Sequence, residues 1–267
     1  MRNDFTNKAV VITGGTKGIG LATGLEFARQ GAHVYLTHRW GSAEEGPILA
    51  KFEEIGARAP TIVEADVSQD EDTLALLELI KKDHEMVEVF VSNVCVVQPA
   101  NGIDSYNKRS LLRSLDYSAW PFIAYLQHMK AVFGRLPRYA VGVSSDGADN
   151  YFAHYEYVAL SKTVMETLCR YAAYNLRDED IRLNIVRSRN ALTDAVLEIF
   201  GQDYVDFMGK YGGERYFMQP EEIAKPILAL CSGMLDAMNG QILQIDKGMA
   251  FADTLSQKLE NREELGL

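Results

Sequence analysis

Cysteine is scarce: only Cys95, Cys169 and Cys231 in 267 residues, with no Cys-x-x-Cys pair. A dithiol redox centre or a zinc ribbon is therefore not expected. Histidine is also sparse, five residues with no HxxxH or HExxH spacing. No metal site is expected, since zinc needs about four converging ligands. Positive charge is in deficit, 27 Lys and Arg against 37 Asp and Glu, for a net charge of −10. Such a chain is a poor match for nucleic acid or an anionic membrane surface. No apolar run approaches the roughly 20 residues that span a bilayer. The opening MRNDFTNKAV has no apolar stretch of the secretory kind. A soluble, cytoplasmic protein is expected. Repeats, low-complexity tracts and linkers are missing too, so residues 1–267 read as one domain.

What is present is alternation. Runs rich in β-branched and aromatic residues lie at 8–13, 33–37, 61–64, 87–92, 139–143, 181–186 and 241–245. Helical patterns lie between them, at 18–30 and near 43–56, 70–84, 108–134, 151–176 and 219–232. Strands alternating with helices imply βαβ units. Near-continuous apolar strands fit a sheet covered on both faces. The expected fold is α/β: a doubly wound, seven-stranded parallel sheet with helices on both sides. Segment 187–218 has helical stretches and no strand, where a substrate lid belongs. Its Phe200, Tyr204, Phe207, Met208, Tyr211, Tyr216 and Phe217 suit either an apolar pocket or helix packing. The charged tail after Asp253 reads as a solvated helix or a frayed end.

The first strand runs into Thr13-Gly14-Gly15-Thr16-Lys17-Gly18-Ile19-Gly20. Gly14 allows a tight turn, Gly18 lets backbone approach a pyrophosphate, and Gly20 lets the helix pack close to the sheet. The helix N-terminus offers free N–H groups to an anion. An ordinary glycine-rich βα turn is the plain alternative.

The GxxxGxG spacing resembles that of the short-chain dehydrogenase/reductase family, and the resemblance spans residues 5–250. It implies a Rossmann-type fold and a nicotinamide cofactor. Gly14, Thr16, Lys17, Gly18, Ile19 and Gly20 are then candidate cofactor contacts. Asp66 and Val67 match the family's adenine-contacting pair, and Asn93 the second Asn of its NNAG motif. Asn184 and Thr193 match its N-x-V…T pattern. NAD enzymes of this type usually carry an acid after the second strand. Here stand Thr37, His38 and Arg39. A guanidinium suits a 2′-phosphate, and Lys17 adds a second cation, which favours NADPH unless both are merely solvated surface charges.

The family's usual Tyr-x-x-x-Lys has a serine seventeen residues before the lysine. Ser145 and Lys162 keep that spacing, but the tyrosine slot holds Val158. At about 100° per residue, Tyr157 points about 140° away from Lys162, whereas Tyr155 differs by only about 20°. The resulting Tyr-x6-Lys resembles the divergent branch of NADPH-using bacterial enoyl-acyl-carrier-protein reductases. A phenol can donate to an oxygen gathering negative charge. A nearby ammonium would lower its pKa from about 10. Tyr155 is thus the expected donor, Lys162 the cofactor clamp and electrostatic partner, Ser145 the orienter and Tyr151 the reserve phenol.

Several residues depart from the family. Val94 and Cys95 replace Ala and Gly, Asp116 replaces the relay Asn, and Ser188-Arg189 replaces the usual Pro-Gly. Arg187 and Arg189 would meet an acidic substrate or disturb a standard cofactor pose. Three functions remain open. The first is an NADPH-dependent reductase of enoyl thioesters in fatty-acid or polyketide-type metabolism. The second is a reductase of 3-ketoacyl or polyketide ketones. The third is a cofactor-binding protein with altered or lost redox activity. The resemblance also implies a homo-oligomer, a tetramer or dimer, built through 108–134 and 151–176, and a small-molecule or carrier-bound acyl substrate.

Overall fold

The seven apolar runs all become strands: β1 Ala9–Ile12, β2 His33–His38, β3 Thr61–Glu64, β4 Val87–Ser92, β5 Tyr139–Ser145, β6 Arg182–Ser188 and β7 Ile242–Ile245. They form one parallel sheet in the order β3-β2-β1-β4-β5-β6-β7. This computed structural model describes residues 4–212, 217–251, 256, 258–259 and 262–266. Successive strand residues face opposite ways. Val10, Ile12, Val34 and Leu36 therefore pack on one side, and Ala9, Val11, Tyr35 and Phe90 on the other.

On the first side lie α1 Gly18–Arg29, α2 Glu45–Glu54 and, after β6, a helix at Pro220–Leu230. On the second lie α3 Asp70–Lys81, α4 Lys108–Ser118, α5 Pro121–Phe133 and α6 Glu156–Asn175. The chain leaves β1 toward one edge of the sheet and later returns to β4 on the other side of β1. That reversal opens a crevice at the carboxyl ends of β1 and β4, where doubly wound sheets bind ligands. Between β6 and Pro220–Leu230 come α7 Asp194–Phe200 and α8 Gln202–Gly212, so 187–218 is helical over 194–200 and 202–212, whereas Arg187 and Ser188, expected to be free of strand, end β6, and Ala191 bridges to Met218. We number Pro220–Leu230 α9. Tyr216 and most of the tail lie outside the described residues.

Three boundaries differ from the periodicity, each for a local reason. The expected helix over 108–134 is two helices. Pro121 has no N–H to continue a helix and sits at the first position of α5. The helix expected from 151 begins at Glu156, because His154 takes a left-handed φ of 63° and gives its ring to the carbonyl of Ala100. Tyr155 is thereby the N-cap and Tyr151 lies before the helix. Finally, β5 and β6 run two residues beyond their apolar cores, adding the rungs Ser144↔Arg187 and Ser145↔Ser188.

At the opposite end of the sheet sits a buried polar knot. His33 Nδ1 lies 2.9 Å from His84 Nε2 and 3.0 Å from the Tyr35 hydroxyl, and His33 Nε2 lies 3.0 Å from the Thr61 hydroxyl. Burial, helped by the Arg58 cation, pushes His33 down to about 4. Between pH 6.5 and 4 the unfolded chain thus binds the proton that the folded chain refuses, so this contribution is complete above pH 6.5 and is lost on acidification. Urea titrations at pH 7.5 and 5.0 should show wild type losing on the order of 1–2 kcal/mol more than His33→Gln. Equal losses would refute the neutral buried imidazole.

Candidate active site

The glycine turn shapes one wall of the crevice. Gly14 and Gly18 have φ of 60° and 53°, in the left-handed region. A Cβ on Gly20 would lie 2.4 Å from the Gly14 carbonyl oxygen and 2.8 Å from Asn93 Nδ2. Asn93 locks this turn to β4: its Nδ2 donates to the carbonyls of Thr13 (3.1 Å) and Gly14 (3.0 Å), and its N–H to the Thr13 hydroxyl (3.0 Å). No side chain caps α1 and its first turn carries no acid. Its leading N–H groups therefore remain available to an anion, and the donor set fits a pyrophosphate.

The cleft that follows has a volume of about 290 Å³. Its walls include Gly14, Lys17, Gly18, Ile19 and Asn93, and on the far side Ser145, Tyr155, Lys162 and Thr193. The side chain of Thr193, the N-cap of α7, lies over Gly18, 3.5 Å from where a Cβ would stand. Thr16 and Gly20 lie behind this lining. Arg39, Asp66 and Val67 sit apart from it, toward the ends of β2 and β3. There Asp66 accepts from Tyr117 (3.1 Å) and Arg39 (3.4 Å), while the Arg39 guanidinium stacks on Trp40 and Tyr117.

At the other end Lys162 is 4% exposed, and its Nζ donates to the Val143 carbonyl at 2.8 Å. The Tyr155 ring lies against Gly147, where a Cβ would come within 2.6 Å of it, and stacks on Phe200, with Phe152 at its edge. Phe200 in turn stacks on Tyr204. Aromatic side chains of α7 and α8 therefore stack over the phenol. The phenol's pKa is pushed up rather than lowered. Burial is the main cause and Cys95 and Asp146 add to it, against a hydrogen bond from Ser145. Lys162 is engaged with backbone and does not appear among these influences.

Tyr157 points elsewhere, its hydroxyl accepting from the Asn107 N–H at 2.6 Å. Tyr151, the reserve phenol, is 84% exposed and lines no part of the cleft, because the chain reaches it before the helix begins. Asp116 is exposed. The two arginines at the end of β6, Arg187 in its penultimate position and Arg189 just beyond it, also differ from expectation. Arg187 pairs with Glu166 and Asp149, and Arg189 with Asp146 at 3.5 Å, so neither lines the cleft.

The sequence reading gave no role to several cleft residues, among them Asp146, Phe152 and Asn190. Asp146 is 2% exposed, and burial, opposed by Arg189, pushes it up to about 6. The string Ser-Ser-Asp-Gly looks like a plain turn, and nothing in it signals burial. Phe152 was hidden by extending the helix through it.

With this geometry in place, relatives can be compared. A family model described as Enoyl-(Acyl carrier protein) reductase matches residues 14–250. The chain belongs to this branch of the short-chain dehydrogenase/reductase family. It is 22% identical to the NADH enoyl-acyl-carrier-protein reductase of Aquifex aeolicus, over 97% of each chain. It is 27% identical to 3beta-hydroxysteroid dehydrogenase 1 of Eggerthella lenta, over 94% of this chain and 97% of that one. Among solved structures, a 7 alpha-hydroxysteroid dehydrogenase complexed with NADH and 7-oxo glycochenodeoxycholic acid superposes with a TM-score of 0.81. It is 22% identical and the match covers 92% of this chain and 96% of that one.

The packing at Gly20 leaves no room for a methyl group. Gly20→Ala is expected to cost about 2–3 kcal/mol and to lower the melting temperature by roughly 5–10 °C, read by calorimetry. A melting temperature unchanged from wild type would mean that helix and turn are not in such close contact.

Proposed function

We propose that the chain is an NADPH-dependent reductase of an activated carbon–carbon double bond, an enoyl thioester or a close analogue, in fatty-acid or polyketide-type metabolism. The observation that carries this reading is a phenol stacked under aromatic rings, Tyr155, beside Ser145 in the cleft that begins at the glycine turn. Residues 1–267 would act as one dinucleotide-binding and catalytic unit, with 187–218 as the lid.

The dinucleotide would be held by Gly14, Thr16, Lys17, Gly18, Ile19, Gly20, Asn93, Lys162 and Thr193, with Asp66 and Val67 toward its adenine. When bound, it supplies a hydride to the electrophilic carbon. Negative charge then gathers on the substrate's carbonyl oxygen. Tyr155 is kept protonated by its burial, so it meets that charge as a donor. Ser145 orients the phenol. Lys162 spends one of its three donors on Val143, leaving two for ribose hydroxyls. Stacked aromatics shield the site from water and offer an apolar surface to an acyl chain.

NADPH is favoured by Arg39. Trp40 and Tyr117 hold its guanidinium flat, and no acid after β2 competes for a ribose hydroxyl. The Aquifex relative is named for NADH, so cofactor choice is where this chain is proposed to differ. A second reading, reduction of a ketone, is favoured by the closeness of Ser145 to the phenol, which together can polarise a carbonyl.

Leu160, Val164, Tyr171 and Tyr174 expose an apolar stripe along α6, with Leu112 and Trp120 also exposed on the same side of the sheet. A second copy of the chain is the proposed cover, so sedimentation should give a multiple of 29.8 kDa. A reducing, cytoplasmic setting suits the three free thiols.

Cofactor oxidation with a trans-2-enoyl thioester, then with a 3-ketoacyl thioester, separates the two readings. Turnover of the ketone alone would discard the first, and cofactor binding without turnover of either would discard both. Tyr155→Phe should lower kcat at least about 100-fold and leave the cofactor Kd within twofold. Arg39→Ala should raise the KM for NADPH roughly tenfold while sparing NADH. Equal effects on the two cofactors would remove Arg39 from the selection.

A further inference from the structure

A second charged cluster lies beside the cleft, within the packing of α6 against the sheet. Glu166 follows Lys162 by four residues on α6 and is 4% exposed. Its Oε1 accepts from the Ser144 hydroxyl at 2.6 Å and from Arg187 Nε at 2.8 Å. The Nη2 of Arg187 donates to the other carboxylate oxygen, and its Nη1 donates to Asp149. Three segments thus meet on one guanidinium: α6, the end of β6 and the chain just after β5. A planar fork on a carboxylate leaves little orientational freedom.

The groups joined are those on which the cleft is built. Ser144 faces Arg187 in the β5–β6 ladder, and Ser145 faces Ser188 on the last rung. Each of the five earlier rungs has at least one apolar or aromatic side chain, such as Leu183, Ile185 or Val186, whereas these two carry only serine and arginine. Serine has little intrinsic preference for a strand, so the register here needs another hold. Asp149 closes the turn whose Gly147 lies against the Tyr155 ring. Ser188 and Asn190 form part of the cleft wall.

We propose that Glu166 is a positioning residue for the reaction. Through Ser144 and Arg187 it holds the last two rungs of the β5–β6 ladder, and with them Ser145, the seat of the Tyr155 ring and the Ser188–Asn190 wall. The kinetic part of this proposal rests on the reductase reading, and the structural part does not.

Replacing both members of a buried ion pair by apolar residues of similar size often leaves stability intact, whereas removing one member does not. Stability and positioning can therefore be separated in Glu166→Leu combined with Arg187→Met. Hydrogen exchange of peptides covering 143–149 and 186–190 is read against a peptide covering β4, together with the melting temperature, kcat and the cofactor Kd. The double variant is expected to melt within about 5 °C of wild type. Its two marked peptides should exchange about tenfold faster, with β4 unchanged. Its kcat should fall about tenfold with the cofactor Kd within twofold. Glu166→Gln, which keeps one acceptor for Ser144 and Arg187, should recover most of both. Exchange or kcat remaining at the wild-type value in the double variant overturns the proposal. If the double variant does not fold, Glu166→Gln decides, with about threefold changes in both readouts expected and none overturning it. If wild type turns over no substrate, the reductase reading fails and exchange alone decides this one.

Discussion

Two charged side chains of one helix grip the end of one strand. On α6, Lys162 donates to the carbonyl of Val143, and Glu166, four residues later, accepts from the hydroxyl of Ser144. Both are almost wholly out of water. Taking a charge out of water is expensive unless partners replace the solvent. The ammonium has a backbone oxygen, and the carboxylate has a hydroxyl and a guanidinium. The cost of undoing either contact fixes the height at which β5 ends relative to α6. Ser145 comes next, then the turn beneath the Tyr155 ring. The crevice itself is a product of topology, but the placing of polar groups in its inner half follows from this grip.

Topology was legible because its signals are apolar and periodic. Seven short runs of Val, Ile, Leu and aromatic residues announce seven strands, and all seven begin within one residue of the expected position, with β3 and β4 matching at both ends. The glycine turn was legible because sterics admit no substitute at Gly20. Helix and strand ends were less so. Pro121 could have been read as a helix start, since proline at that position is favoured. The left-handed turn at His154 could not, because histidine, though enriched at positive φ, adopts it in only a small minority of positions. The rungs Ser144↔Arg187 and Ser145↔Ser188 were missed because polar residues look like loop, and a strand held by side-chain hydrogen bonds has no apolar signature.

The same limit separates the parts of the site. Lys162 and Ser145 stand at a recognisable spacing, and Tyr155 was chosen by rotation about a helix that starts at Glu156, one residue after it. The N-cap position still keeps its carbonyl in the helix, bonded to the Ala159 N–H, and Tyr155 and Lys162 both line the cleft. Glu166 had a signal that went unused. It shares a face with Lys162, Val158, Met165 and Cys169, all buried, and a carboxylate on the buried stripe of a helix demands a cation. Arg187 sits in the last turn of strand available to supply it.

That pairing alters the meaning of the arginines at the end of β6. In sequence they look like an electropositive patch at the cofactor's reactive end. In the fold each is matched by a carboxylate, Arg187 by Glu166 and Arg189 by Asp146. The net effect is a cleft with apolar and aromatic walls, two lysines along its lining and one buried acid. A substrate entering such a space finds mostly neutral surface, with charge at Lys17, Lys162, Asp146 and, at the start of α7, Asp194. Recognition along the body of the substrate must then come from shape and desolvation. This is consistent with the breadth of the relatives, which range from acyl-carrier-protein to steroid enzymes on one architecture. On the inner half of the cleft that neutral surface is aromatic, with Phe200 stacked on Tyr155 and Tyr204 on Phe200.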